Sequence, residues 1–476
     1  MPWREREHSA PHRRRCPVTD RHVVIVGAGP AGTRAAETLV RAGLRPTVID
    51  EAPASGGQIY RRPPAGFRRP ASTLYGFEAG KAQRLHAAFD ALVGRIEWRP
   101  GTLVWEARGG VLHLQAEAGR SALAYDAVIL ATGAMDRVVP LPGWTLPGVY
   151  TLGGAQVALK AQGCAIGRRV AFLGSGPLLY LVAYQYARAG AQVAAVLDTA
   201  SFAGKLAALP DLLAGGATFA KGLWVLAWLA ARRVPMASGV TPLRVDGSDG
   251  VARLVWRDGG GSERATDCDA IGMGWGLKSE TQLADLLEVP FAWDTLQRQW
   301  LPQADADGRT PVPGVYLCGD GAAIRGADAA ELAGERAALA LLADRGVAID
   351  RARVQAIGRR QDRLARFRRG LERAFPYPHG LAASLDDGTL LCRCEAVTAG
   401  DLRRWVRGLD AREINRAKAF SRVGMGRCQG RVCAPAAAEV IAAATGQAIE
   451  AVGRLRGQPP VKPIPIDGGA APGGPS

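Results

Sequence analysis

Residues 23–51 read VVIVGAGPAGTRAAETLVRAGLRPTVIDE, and this stretch decides the fold. The β-branched run Val23 to Val26 predicts a buried strand, and Gly27-Ala28-Gly29-Pro30-Ala31-Gly32 follows it at once as a tight turn into a helix. Each glycine has its own task. Gly27 permits the turn, Gly29 lets a pyrophosphate approach the backbone, and Gly32 lets the helix lie close to the strand. Pro30 and Ala31 open the helix, whose N-terminal N–H groups face the phosphates. The next strand, PTVI, ends at Asp50 and Glu51, where a carboxylate about 20 residues on is expected to hold a ribose hydroxyl. Asp50 is the expected ligand, and Glu51 is the neighbour able to replace it.

A second unit of the same shape runs from Val170 to Asp198, VAFLGSGPLLYLVAYQYARAGAQVAAVLD. Its repetition predicts an α/β chain with two Rossmann-like dinucleotide-binding domains. Gly174, Gly176 and Pro177 form the turn, but Leu179 stands where the third glycine belongs, so the helix is expected to sit farther from its strand. Asp198 ends the strand and is expected to hold a free ribose 2′-hydroxyl, with no arginine directly after it to receive a 2′-phosphate. A nicotinamide bound there would be NAD(H). A vestigial domain, or one that holds an adenine nucleotide structurally, is the other reading.

Four cysteines form a different pattern. Cys392 and Cys394 in LLCRCEAVT, then Cys428 and Cys433 in MGRCQGRVCAP, give C-x-C, a long gap and C-x4-C. Two close pairs can grip one metal centre from two loops, so all four are expected as thiolate ligands. Cys16, Cys164, Cys268 and Cys318 share no spacing, which argues against a disulfide framework and for a reducing, cytoplasmic compartment.

At 476 residues the chain is expected to divide into two to four domains, and 48% hydrophobic with 22% charged residues is ordinary globular composition. The paired arginines of the N-terminal MPWREREHSAPHRRRC invite an export reading, but the strand and glycine turn that follow belong to a fold, so residues 1–20 are expected to be a disordered basic tail. No run of 18 apolar residues predicts a transmembrane helix. In GLWVLAWLAA, Gly222 to Ala231, Trp224 and Trp228 share a helical face that is expected to meet the core. The formal charge is +16, concentrated in Arg351 to Arg373, RARVQAIGRRQDRLARFRRGLER. With no nucleic-acid motif beside it, this helix is either a solvated face or an electropositive surface for an acidic partner.

Three segments resemble flavoproteins of the glutathione reductase and thioredoxin reductase type: Gly56-Gly57-Gln58, YDAVILATG from Tyr125 to Gly133, and VPGVYLCGD from Val312 to Asp320. The match spans about residues 22 to 340 and implies FAD, with Gly57, Gln58, Thr132, Gly133, Gly319 and Asp320 as further contacts beside the first glycine turn. One departure is decisive. No cysteine pair of the C-x2-C or C-x4-C kind precedes residue 392, and Cys318 has no partner in sequence, so disulfide reduction is rejected.

The four cysteines resemble the ligands of the bacterioferritin-associated-ferredoxin type of 2Fe–2S domain. RVGMGRCQGRVC, residues 422–433, is similar to the C-terminus of one flavoprotein group, the alpha subunits of opine oxidases, of hydroxyproline and related amino-acid dehydrogenases, and of hydrogen cyanide synthase. A structural zinc site is the competing reading, although a one-residue spacer is tighter than zinc modules use. Helix APAAAEVIAAATG after Cys433, with Arg393, Arg427 and Arg431, would favour an anionic cluster.

The expected organisation is a tail at 1–20, a first FAD segment at 21–149, a nicotinamide-type dinucleotide domain at 150–277 and a second FAD segment at 278–345. A charged helical linker at 346–385, a helical 2Fe–2S domain at 386–456 and a Pro/Gly-rich extended tail at 457–476 complete it. The resemblance implies an electron-transfer component of an amino-acid, imino-acid or opine dehydrogenase. A separate FAD-dependent amine-oxidising polypeptide would be its partner, and a protein or quinone its acceptor. Any place at the inner membrane would come through that partner. An NADH-dependent reductase and a non-catalytic, redox-responsive docking protein are the alternatives. Outside the tail only His22, His86, His113 and His379 occur, none in a flavin motif, so sequence names no general base.

Overall fold

The computed structural model describes residues 22–64, 66–67 and 69–466, so the basic segment 1–20 and the last ten residues lie outside the described chain. Val23–Val26 is the middle strand of a five-stranded sheet in the order Val315–Leu317, Ala127–Leu130, Val23–Val26, Thr47–Ile49, Glu97–Arg99, every pair parallel. A parallel sheet must be covered on both faces, which is why these strands are almost wholly apolar. Helices Pro30–Arg41 and Ala327–Asp344 cover one face, crossing so closely that a Cβ on Gly334 would lie 1.9 Å from the Ala31 carbonyl oxygen. The antiparallel strands Leu103–Arg108, Val111–Ala116 and Gly119–Ala124 cover the other, with Val104, Leu112 and Leu114 packed on Val24, Ile49 and Val128.

The second five-stranded sheet is also parallel, in the order Met236–Ser238, Gln192–Asp198, Arg169–Ser175, Ala270–Trp275, Val149–Thr151. The chain enters this domain past strand Ala134–Asp136 and leaves through Leu277–Ser279, and these two segments pair antiparallel. The flavin-type domain is therefore interrupted in sequence and continuous in space. The cysteine module consists of a short hairpin, Leu390–Cys392 with Val397–Thr398, and helices Ala399–Leu409, Ile414–Ser421 and Ala434–Thr445. Its Leu391, Leu402 and Val440 share one hydrophobic cluster with Leu173, Ile271 and Trp275 of the second sheet.

The arginine-rich stretch is a 24-residue helix, Arg351–Ala374, started by the Asp350 carboxylate, which accepts the Arg353 N–H. Several guanidinium groups are paired on the same molecule: Arg353 with Glu335, and Arg366 and Arg373 with Asp211. The tryptophan helix departs from expectation. Ala217–Ala231 buries only Val225 and Leu229, while Trp224 packs on Phe77 and Tyr184 and stays 44% exposed. Trp228 does meet Tyr184, at 4.8 Å between ring centroids. Phe219 of this helix packs on the Ala208, Leu212 and Ala374 cluster, whereas Leu223 stays exposed, as do Phe202, Leu206 and Leu213 nearby in the chain.

Candidate functional site: a flavin cavity with a cysteine loop at its wall

The first glycine turn has the geometry its residues require. Gly27 has φ +107°, and a Cβ there would lie 2.3 Å from the Ala131 carbonyl oxygen; a Cβ on Gly32 would lie 1.8 Å from that of Gly27. Gly29 differs, since its nearest neighbour, the Gly57 Cα, would be 3.6 Å from an added Cβ. The room above Gly29 is open for a pyrophosphate rather than filled by protein. Gly27, Gly29, Pro30, Ala31, Asp50, Glu51, Gly57, Gln58, Thr132, Gly133, Gly319 and Asp320 line one cavity of about 1110 Å³, large enough for a dinucleotide, with Gly32 behind them.

Asp50 is fastened to the turn: its carboxylate accepts the Ala28 N–H at 2.6 Å and the Ala52 N–H at 2.8 Å. Burial raises its pKa against the pull of those two donors. Glu51 is exposed and paired with Lys462. Asp320 accepts the N–H groups of Arg325 and Gly326 at 2.8 and 2.9 Å, which fixes the turn after the strand Val315–Leu317.

Gly176 and Pro177 open onto the same cavity, and a Cβ on Gly176 would meet nothing within 4 Å. Gly174 is held by close approach, 1.7 Å from an added Cβ to the Gly274 oxygen. Asp198 ends the strand Gln192–Asp198, as the sequence places it. It is completely buried, accepting from the Tyr180 hydroxyl and the Lys205 ammonium, each at 2.7 Å, and from the Ala200 N–H. The cavity wall here is made by Tyr180 and Lys205. In this structure the Asp198 charge is met by the protein's own Tyr180, Lys205 and Ala200.

The four cysteines come together. The Cys433 thiol neighbours those of Cys392 and Cys428, and the Cys428 thiol neighbours that of Cys394, closely enough to perturb one another. The Cys433 thiol, helped by the N–H groups of Gly424, Glu395 and Cys394, brings Cys392 down to about 6 against the effect of burial. Cys428 is lowered as well, by Cys433 and by the N–H groups of Val432 and Gly430. Among the described residues no group of three or more His, Cys, Asp or Glu is disposed to hold a metal ion as it stands. The donor set itself, four thiols ringed by backbone N–H groups aimed at sulfur, fits a thiolate-bound 2Fe–2S cluster.

Between cavity and cysteines lies a segment whose role was not visible in the sequence. The Thr132 hydroxyl donates to the Glu280 carbonyl oxygen at 2.6 Å, and the Glu280 carboxylate holds Arg431, which lies between Cys428 and Cys433, at 2.6 Å. Glu280 and Arg431 both line the cavity. The Gln282 amide donates to the Gln429 carbonyl, and Asp285 binds Arg454, Arg456 and the Gly457 N–H. Asp136 and Lys160, both in the cavity wall, carry no sequence signal either. Burial raises the Asp136 pKa, opposed by Thr151 and the Gly153 N–H. Single acids and lysines between motifs stand out by nothing local, and only the fold brings them to the cavity.

The geometry defines a class: a two-dinucleotide-domain flavoprotein that carries an iron–sulfur module. Residues 21–340 match the family described as pyridine nucleotide-disulphide oxidoreductase, and residues 390–443 match the BFD-like [2Fe-2S] binding domain. The chain belongs to the pyridine nucleotide-disulphide oxidoreductase family, as an FAD-dependent oxidoreductase with a C-terminal 2Fe–2S domain. It is 38% identical to the A subunit of opine oxidase from Agrobacterium tumefaciens (strain Ach5), over 93% of this chain and 90% of that protein. It is 34% identical to the HcnB subunit of hydrogen cyanide synthase from Pseudomonas aeruginosa, over 93% of this chain and 97% of that protein. The resemblance read from the cysteine segment thus extends along most of the chain. Among solved structures, L-proline dehydrogenase from P. horikoshii has the same fold, with a TM-score of 0.69 at 18% identity over 94% of this chain and 78% of that one.

Proposed function

We propose that this chain is the electron-transferring subunit of a heteromeric dehydrogenase or oxidase that acts on the CH–NH bond of an amino acid, imino acid or opine. A second FAD-dependent subunit would oxidise the amine, and a protein or quinone would accept the electrons. The observation that carries this reading is the seat of the cysteine loop on the flavin cavity, through Arg431, Glu280 and Thr132. Bound in these two places, FAD supplies two-electron exchange and the cluster one-electron exchange. The chain's own residues hold the parts in register: the first glycine turn and Asp320 shape the cavity, and Glu280 anchors the cysteine loop to it. Both relatives are named as one subunit of a larger enzyme, opine oxidase in one case and hydrogen cyanide synthase in the other, which supports a heteromer. A cytoplasmic site of action belongs to the same reading. Separately, among the described residues no single helix is long and apolar enough to cross a membrane.

The test is anaerobic reduction of the chain alone and with the product of a co-expressed neighbouring flavoprotein gene. Proline, hydroxyproline or an opine is expected to bleach the flavin absorbance only in the complex. Rapid bleaching of the isolated chain by NADH would replace this reading with the reductase. The burial of Asp198 behind Tyr180 and Lys205 speaks against that reductase. Cofactor binding without reduction by any donor, alone or in complex, would leave the docking protein.

A further inference from the structure

Helix Leu152–Ala161 turns one face to the cavity: Gly153, Gln156, Val157 and Lys160, spaced i, i+3, i+4 and i+7, all line it. At the start of this face the Asp136 carboxylate accepts the Gly153 N–H at 3.0 Å. At its end stands Lys160, 3% exposed, about 10 Å farther along the axis. Its Nζ donates to the Ile59 carbonyl oxygen at 3.2 Å. An ammonium has three donors, and a buried cation is tolerated when a charge partner meets it. Burial alone perturbs Lys160, bringing it down to about 8, and no carboxylate contributes. Ile59 directly follows Gly57 and Gln58, so the ammonium points into the part of the cavity shared with the flavin-type segment.

We propose that Lys160 and the segment Gly57–Tyr60 form a site for an anionic group within the flavin cavity, with the Lys160 ammonium as its charge partner. Two groups have this chemistry. One is the isoalloxazine after it takes up two electrons from a reductant and one proton from solvent, which leaves one negative charge on the ring. The other is a small carboxylate ligand. The proposal rests on FAD occupying this cavity and not on the identity of the complex.

The full chain is purified with its FAD as wild type, Lys160→Met and Lys160→Arg. The flavin midpoint potential is measured with dithionite and mediator dyes at one pH, and the flavin spectrum is titrated with acetate and with pyruvate. If the reduced flavin is the anion, Lys160→Met lowers the potential by about 30 mV for each tenfold loss of preference for the reduced state, and Lys160→Arg restores it. If a carboxylate is the anion, the potential holds, and the wild type shows a saturable spectral change that weakens at least tenfold in Lys160→Met. Loss of FAD from Lys160→Met alone also supports a charge partner. Equal potentials and equal titrations in all three forms, or loss of FAD from both variants, overturn the proposal. A wild-type chain without FAD would instead overturn the reading of the cavity itself.

Discussion

Gly29 and Gly32 look equivalent in the sequence and differ in space. A Cβ on Gly32 would lie 1.8 Å from a carbonyl oxygen, whereas one on Gly29 meets only ordinary contact with Gly57 at 3.6 Å. Gly32→Ala is therefore expected to yield little soluble protein. Gly29→Ala should fold with a stability change of about 1 kcal/mol or less, yet lose most of its FAD, as read from the ratio of flavin to protein absorbance. Cys433→Ser should lose the cluster's visible absorbance and its iron while keeping FAD, because the cysteines take no part in the glycine cradle. Zinc in place of iron in the wild type would contradict the cluster. The glycine turn could be read from sequence because each role is a local steric demand. The surroundings of Asp198 could not, because Tyr180 and Lys205 reach it from two helices whose packing no spacing encodes.

At the scale of elements, the segment from Leu277 to Leu286 joins the molecule's parts: a strand between domains, then Glu280, Gln282 and Asp285 on the cysteine module. Asp285→Ala removes the partner of Arg454, whose side chain is itself largely buried, and should weaken docking of the module by about 3–5 kcal/mol. Faster hydrogen exchange in residues 447–457 would show it. Burial would raise the Asp285 carboxyl, but Arg454, the Gly457 N–H and Arg456 together hold it below the ordinary value. A lowered folded-state pKa gives stabilisation that is present above the unfolded value, near 4, and lost as pH falls through the folded one. Docking should thus be flat from about pH 5 to 8 and loosen only below about 4. Trp144, which donates to the Leu390 carbonyl at the same junction, offers a fluorescence readout. The long arginine helix was legible from its charge pattern, whereas its Asp350 cap emerged only with the fold. The seat of the tryptophan helix was not, because apolar spacing shows that a face exists without showing which element covers it.

At the scale of the molecule, Phe202, Leu206, Leu213 and Trp224 expose apolar surface, and Phe202 and Leu206 also line the cavity. Exposed patches of this kind promote association. Alone in solution the chain should bind a hydrophobic dye and elute early in gel filtration, and Leu213→Asp, outside the cavity lining, should reduce both without loss of FAD. The order of synthesis supplies the other consequence. The described chain ends by packing Val461 into the cluster of Val24 and Val104, with its N–H on the Trp105 carbonyl, while Lys462 reaches Glu51. Val461 and Lys462 are cavity wall. At about 5–20 residues per second, the ribosome delivers this wall tens of seconds after the glycine turn that faces it. The nascent flavin site stays open on one side until residues 461 and 462 have been made, and a truncation after Arg456 would damage a nucleotide pocket that begins at residue 27.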